Sequence, residues 1–276
     1  MGPFAVFGRS ARKLCAAAIA LAASFPASAT EIIAHRGASH DAPENTLPAV
    51  LLGWERGADS VEVDIHHSRD GRIVAIHDKD TKRVTGHTGL VASMSFSQLR
   101  ELDAGSWKEP RWAGTRIPSL EEVLETVPPG KSLVVEIKCP ATVLPDLERV
   151  LAASPNGGRS ILIAFDYGTI AEAKRRMPHL PAYWLYGFSD REATRYRVQE
   201  PGDLLDRVRE AGLDGLDVRH DGPWVELLAE SLRATELSLY VYTVNDPNRA
   251  RQLRDLGVAG ITTDRPAYLR KALNGK

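Results

Sequence analysis

Short apolar runs alternate with amphipathic stretches along most of the chain. The runs fall at residues 32–35, 60–65, 73–77, 133–138, 161–165, 183–186, 215–218, 239–243 and 260–263. Most are continuously apolar and do not alternate with polar residues, the pattern of strands covered on both faces, as in a parallel sheet. Between them lie segments with helical spacing. Residues 46–56 carry Leu47, Val50, Leu51 and Trp54 three and four apart, which predicts an amphipathic helix. Ser119-Leu120-Glu121-Glu122 reads as a capping box opening another. Further helices are expected over 144–152, 169–176, 201–211, 224–234 and 247–256. Strands alternating with helices predict an α/β fold. No linker or composition shift divides residues 30–276, so they are expected to form one domain.

Nine runs are one too many for a barrel of eight strands. Residues 66–72, between the second and third runs, are too few for a parallel crossover, and Asp70-Gly71 is a hairpin signal. A two-residue turn there pairs Arg69 with Arg72, His67 with Val74, Ile65 with Ile76 and Asp64 with His77. Opposed residues share a face, and Glu62 shares it with Asp64. The expected fold is therefore a TIM (β/α)8 barrel, with a β-hairpin after its second strand and a long excursion, residues 79–118, before its third. The excursion contains Trp107, Trp112 and a short helical pattern at 97–102. It reads as an ordered flap over one barrel end that shapes the pocket.

The first 29 residues do not follow this rhythm. Arg9, Arg12 and Lys13 precede an apolar run over 14–23, and Ala27-Ser28-Ala29 suits cleavage. This is the pattern of a secretory signal, and the run falls short of the roughly 20 residues that span a bilayer. Export to the periplasm or beyond the cell is expected, with a retained anchor as the alternative. Loss of the three cations takes the formal charge from −1 to −4. An acidic chain without a basic stripe is not built for nucleic acid. Cys139 is then the one remaining thiol, so no internal disulfide is expected. At a strand end before Pro140 it reads as a small packed residue in preference to a nucleophile.

The chemistry gathers at strand ends, where barrel enzymes build their sites. Glu62, Asp64 and Glu136 interrupt apolar runs. Inward-facing carboxylates are costly unless paired or metal-bound, and three oxygen donors suit a hard cation, Ca²⁺ or Mg²⁺. The plainer reading pairs them with Arg36 and Lys138, which are equally suited to gripping a phosphate. His35 and His77 each end a run and are candidates for general acid and base. Glu44-Asn45-Thr46 opens a helix with Asn45 as its expected cap; a functional reading adds a hydrogen bond to His35 or the metal. Phe165, Trp184 and Tyr242 end later runs and are candidate pocket walls. Asn245 and Asp264 lie at the same end. His66, His67, His87, His179 and His220 lack partners in sequence and are assigned to surface or core.

The segments HRGAS (35–39), APENT (42–46), the E-x-D strand followed by Asp70-Gly71, His77-Asp78, the E-x-K of Glu136 and Lys138, YTVN (242–245) and TTDRP (262–266) stand in one order. That order resembles the glycerophosphodiester phosphodiesterase family. The resemblance implies a TIM barrel and a divalent cation, Ca²⁺ or Mg²⁺, with metal ligands at Glu62, Asp64 and Glu136. It implies an acid–base pair at His35 and His77, and substrate contacts at Arg36, Glu44 and Lys138. The mechanism that the resemblance implies has a glycerol hydroxyl, activated at the metal, attack phosphorus, and water open the resulting cyclic phosphate to give an alcohol and sn-glycerol 3-phosphate. The family usually carries Trp where Tyr242 stands, which leaves open what the wall formed with Trp184 and Tyr242 prefers. The expected partner is a small molecule, a glycerophosphodiester or a lysophospholipid, with no protein partner. A barrel that only binds a phosphodiester is the non-catalytic alternative, against which two titrating histidines argue.

Overall fold

A computed structural model describes residues 1–2 and 30–274. The secretory segment expected over 1–29 lies, but for its first two residues, outside them. Each expected run forms a strand: β1 (Glu31–Ala34), β2 (Ser60–His67), β3 (Ile73–Ala75), β4 (Ser132–Ile137), β5 (Ser160–Ala164), β6 (Ala182–Tyr186), β7 (Gly215–Arg219), β8 (Ser238–Tyr242) and β9 (Gly260–Thr263). Eight run parallel in the order β1-β9-β8-β7-β6-β5-β4-β2, and β1 pairs with β2 to close the ring. This is the eight-stranded barrel expected. The strand β3 stands outside the ring, antiparallel to β2.

Helices cover the outside: α1 (Leu47–Glu55), then α2 (Lys82–Thr85) and α3 (Phe96–Glu101) within the excursion, then α4 (Leu120–Glu125), α5 (Leu144–Ala153), α6 (Tyr167–Arg176), α7 (Asp190–Tyr196), α8 (Pro201–Glu210), α9 (Val225–Leu232), α10 (Pro247–Leu256) and α11 (Pro266–Asn274). The capping box at Ser119 and Glu122 opens α4 as expected. No helix among the described residues is long and apolar enough to cross a membrane.

Side chains alternate across the strands, and this parity decides which residues reach the barrel interior. Ile33, Val134, Ile161, Ile163, Tyr183, Leu185 and Tyr240 fill it. Their neighbours Val61, Val63, Leu133, Val135 and Leu162 face outward into the helical layer. Trp184 follows the outward parity. It is fully buried, with its ring centroid 5.1 Å from Tyr167, 5.3 Å from Tyr186 and 5.1 Å from Tyr196. Its indole N–H donates to the Phe165 carbonyl at 3.2 Å. The expectation that Trp184 lines the pocket is therefore corrected: it lies between the inward Tyr183 and Leu185 and belongs to the outer core.

The hairpin is present, but its register is one residue away from the expected one. Ile65 pairs with Ala75, His66 with Val74 and His67 with Ile73. The turn holds three residues, not two: the Ser68 N–H donates to the Arg72 carbonyl, and Gly71 sits at φ 79°. This is the three-residue loop with glycine in the left-handed position, which Asp-Gly serves as well as a two-residue turn. Asp64 consequently faces Ile76, whose N–H its carbonyl accepts at 3.0 Å. His77 lies beyond the end of β3 and is placed by the chain that leaves it.

The excursion has a core of its own. Val84, Val91, Leu99, Ala104 and Ile117 pack with Val74 and Ile76, so β3 is its base. The helix expected at 97–102 starts one residue earlier, capped by Ser95 with Gln98 in a capping box.

Gly37 explains the glycine of the His35-Arg36-Gly37 turn. It has φ +80°, and a Cβ there would lie 2.3 Å from the Ala49 carbonyl carbon at the start of α1. Gly37→Ala is expected to lower the thermal midpoint by about 5–10 °C through strain and clash. An unchanged melting curve would show that α1 yields without cost.

Candidate active site

Glu62 and Asp64 rise from β2, and Glu136 stands beside Asp64 in register on β4. Inward parity and matched register bring the three together. All are buried, and each offers an oxygen within 4.8 Å of the others.

Asp64 is the most tightly held. The Asn45 amide donates to its Oδ2 at 2.8 Å and accepts its backbone N–H at 3.0 Å. Asn45 is not the helix cap expected: Thr46 caps α1 and accepts from the Ala49 N–H. One position earlier, at φ 57°, Asn45 is free to grip Asp64 instead of His35. Arg36 Nε lies 3.2 Å from Asp64 Oδ2, and Nη1 donates to Glu44 at 2.8 Å. The Arg36 backbone N–H donates to Glu62 Oε2 at 2.7 Å. Lys138 Nζ lies 2.7 Å from Glu136 Oε1 and 3.6 Å from Asp64 Oδ1.

These contacts divide the charge unequally. Burial opposes ionisation of Asp64, but Arg36, Lys138 and His77 outweigh it and hold the carboxyl below its ordinary range. Burial and then the charge of Asp64 push Glu136 up. Glu62 rises for the same reasons, with Glu136 adding to the repulsion. Glu62 Oε1 and Asp64 Oδ1 are buried without a hydrogen-bond partner. Unsatisfied carboxylate oxygens at the meeting point of three acids fit a hard divalent cation.

Both sequence-predicted histidines are held by an aspartate at Nδ1. His35 Nδ1 is 2.7 Å from Asp264 Oδ1. Asp264 also accepts from Ser39 at 2.9 Å and from Asn245 at 2.6 Å, so both late-motif residues serve His35. His77 Nδ1 is 2.7 Å from Asp78 Oδ1. Arg83, on α2, donates to Asp78 at 2.6 Å and grips both oxygens of Glu44 at 2.9 and 2.7 Å. A chain of ion pairs thus runs from His77 through Asp78, Arg83 and Glu44 to Arg36. Burial, with Arg36 and Lys138, lowers the His77 pKa against the pull of Asp64 and Asp78. His66 is not idle either: its Nε2 is 3.1 Å from the His77 carbonyl.

Arg83, His66 and Asp217 were not anticipated from sequence. Asp217 lies on the inward parity of β7, and burial together with Glu136 raises its pKa well above the carboxylate range. A cavity of about 750 Å³ opens from Glu136 and Lys138 past Cys139, Phe165, Arg191 and Tyr196. Burial pushes the Cys139 thiol up to about 11, which suits packing and not attack. Tyr242 meets Phe165 edge-on at 5.8 Å.

Residues 35–268 match the glycerophosphoryl diester phosphodiesterase family. The chain belongs to that family. A glycerophosphodiester phosphodiesterase of Caldanaerobacter subterraneus subsp. tengcongensis is 31% identical over 87% of this chain and 96% of its own. The structure of an Oleispira antarctica phosphodiesterase in complex with the product sn-glycerol-3-phosphate is similar at a TM-score of 0.79 and 27% identity, covering 89% of this chain and 97% of that one. A Thermotoga maritima glycerophosphodiester phosphodiesterase gives 0.72 and 26%, covering 88% and 97%. The family membership makes the barrel an enzyme of this class.

Asn45 supplies the test of the site's internal support. Asn45→Ala removes both of its bonds to Asp64 and leaves a buried N–H unpaired. A loss of about 2–4 kcal/mol is expected, read as a lower midpoint in denaturant. Wild-type stability would mean that Asp64 finds another partner.

Proposed function

We propose that the protein hydrolyses glycerophosphodiesters to an alcohol and sn-glycerol 3-phosphate, using a divalent cation and an acid–base pair of histidines. The observation that carries this reading is the cluster of Glu62, Asp64 and Glu136, with unsatisfied oxygens, beside two histidines each oriented by an aspartate. The product held by the Oleispira antarctica relative supports the same reaction. The three carboxylates would hold Ca²⁺ or Mg²⁺, which supplies Lewis acidity at substrate oxygen and fixes its position.

The chain's own residues do the rest. Arg36 and Lys138 offset the carboxylates and present cationic N–H groups to a phosphodiester. His35 and His77 carry protons at Nε2: one takes the proton of the attacking hydroxyl, and the other protonates the leaving alcohol. Glu44 orients Arg36 from behind and is itself fixed by Arg83. Tyr242 contributes to the wall on the β8 side. The excursion reaches the site through Arg83, which holds Asp78 and Glu44. We place the protein outside the cytoplasm, in the periplasm or secreted, on its N-terminal pattern.

Release of sn-glycerol 3-phosphate from glycerophosphocholine is expected to cease in EDTA and return with Ca²⁺ or Mg²⁺. Glu62→Gln is expected to weaken cation binding by about tenfold or more in calorimetry. Turnover untouched by chelation would remove the metal from the proposal.

His35→Ala and His77→Ala are each expected to lower kcat by about 10²–10⁴-fold. The His77 pKa is lowered, so its neutral form persists below the usual imidazole value and is lost only as pH falls further. The acid limb of kcat/KM is therefore expected below about pH 6.5. Asp78→Asn removes a carboxylate that favours the imidazolium and should move that limb to still lower pH. A limb that moves upward would take His77 out of the acid–base role.

A further inference from the structure

The cavity that opens from Glu136 and Lys138 has a wall with no part in the chemistry above. Helix α7 supplies Arg191, Glu192, Arg195 and Tyr196 to it, and Phe165 and Asp166, which follow β5, also line it. Its volume of about 750 Å³ is ample for one arm of a small diester. With phosphorus at the acid cluster, one arm extends along this space. The arm that differs from one substrate to another is the alcohol's.

Three carboxylates line the cavity, and each is already engaged. Glu136 accepts from Lys138 at 2.7 Å. Asp166 accepts from Arg195 at 2.6 Å and from the Thr169 N–H at 2.8 Å. Glu192 accepts from the Gly187 and Ser189 N–H groups, both at 3.0 Å. Two of the three cations, Lys138 and Arg195, are bound in these pairs. Arg191 has no acidic partner among the described residues and stands exposed on the cavity wall. It is the one charged side chain of that wall left free to meet a ligand.

The two aromatic rings of the wall are engaged as well. Lys138 Nζ lies 5.5 Å from the Phe165 ring centroid, and the Arg195 guanidinium 5.1 Å from that of Tyr196. A quaternary ammonium is received by aromatic faces and free carboxylates. Here both rings already face a cation of the protein, and the carboxylates are taken. A carboxylate or phosphate is received by a free guanidinium. Resting on the phosphodiesterase reading above, we propose that Arg191 binds a negative charge on the alcohol half of the substrate, and that the cavity favours diesters of anionic alcohols over that of choline.

The test compares substrates that differ by one charged group. Glycerophosphoinositol 4-phosphate carries a second phosphate that glycerophosphoinositol lacks. On the full chain with Ca²⁺ or Mg²⁺, kcat/KM is expected to favour the first by about tenfold, and high salt should shrink the difference. Glycerophosphocholine should be the poorest of the three. Arg191→Gln is expected to bring the two inositol diesters within about twofold of each other, and Arg191→Glu to invert their order. Equal turnover of the two by the wild type overturns the proposal, as does a preference that survives both substitutions. So does a wild type that turns over glycerophosphocholine best. Each of these three results leaves the phosphodiesterase reading intact. Hydrolysis of none of the substrates sinks that reading and this assignment with it.

Discussion

Mutual repulsion among three buried carboxylates governs the design of the barrel mouth. Two unit charges 4 Å apart repel by about 4 kcal/mol at an effective dielectric of 20, and Glu62, Asp64 and Glu136 each offer an oxygen within 4.8 Å of the others. Much of what surrounds them reduces this cost. Arg36 and Lys138 stand against Asp64, and Asn45 supplies its hydrogen bonds. Asp64 therefore keeps its charge, while the two glutamates are pushed towards the neutral form. A site that strains to hold three negative charges is one in which a hard divalent cation would be stabilising.

The fold delivers the carboxylates through strand parity alone. Residues 62, 64, 136 and 217 share the inward phase of their strands, and the residues between them supply the apolar outer layer. The same alternation that buries Val61, Val63 and Val135 under helices points the acids at one another. An acid inside an apolar run is thus the readable sign of a barrel site. Glu62, Asp64 and Glu136 were legible for that reason. Asp217 carried the same sign, in the sequence Gly215-Leu216-Asp217-Val218.

Other parts were less legible. The hairpin could be read from Asp70-Gly71, but its register could not, because that pair fits turns of two and three residues equally. Trp184 was placed by its nearness to a strand end, and parity sent it to the outer core. Asp264 was no more than a candidate from sequence, since its hold on His35 spans 229 residues. Arg83 lies on the single-turn helix α2, 39 residues from Glu44, where no periodicity announces a partner. Local pattern fixes which face a residue takes; it does not fix which distant side chain meets it there.

The two histidines are tied to different parts of the molecule, and this follows from the hairpin register. Had His77 faced Asp64 across the hairpin, both histidines would belong to the barrel wall. His35 does belong there, fixed through Asp264 and Asn245 to the chain following β8 and β9. His77 instead lies where β3 gives way to the excursion, and Arg83 from α2 holds it through Asp78. The excursion's apolar cluster packs on β3, so His77 sits at the joint between two cores. The excursion and His77 are in this way joined, and Arg83 links both to the barrel through Glu44 and Arg36.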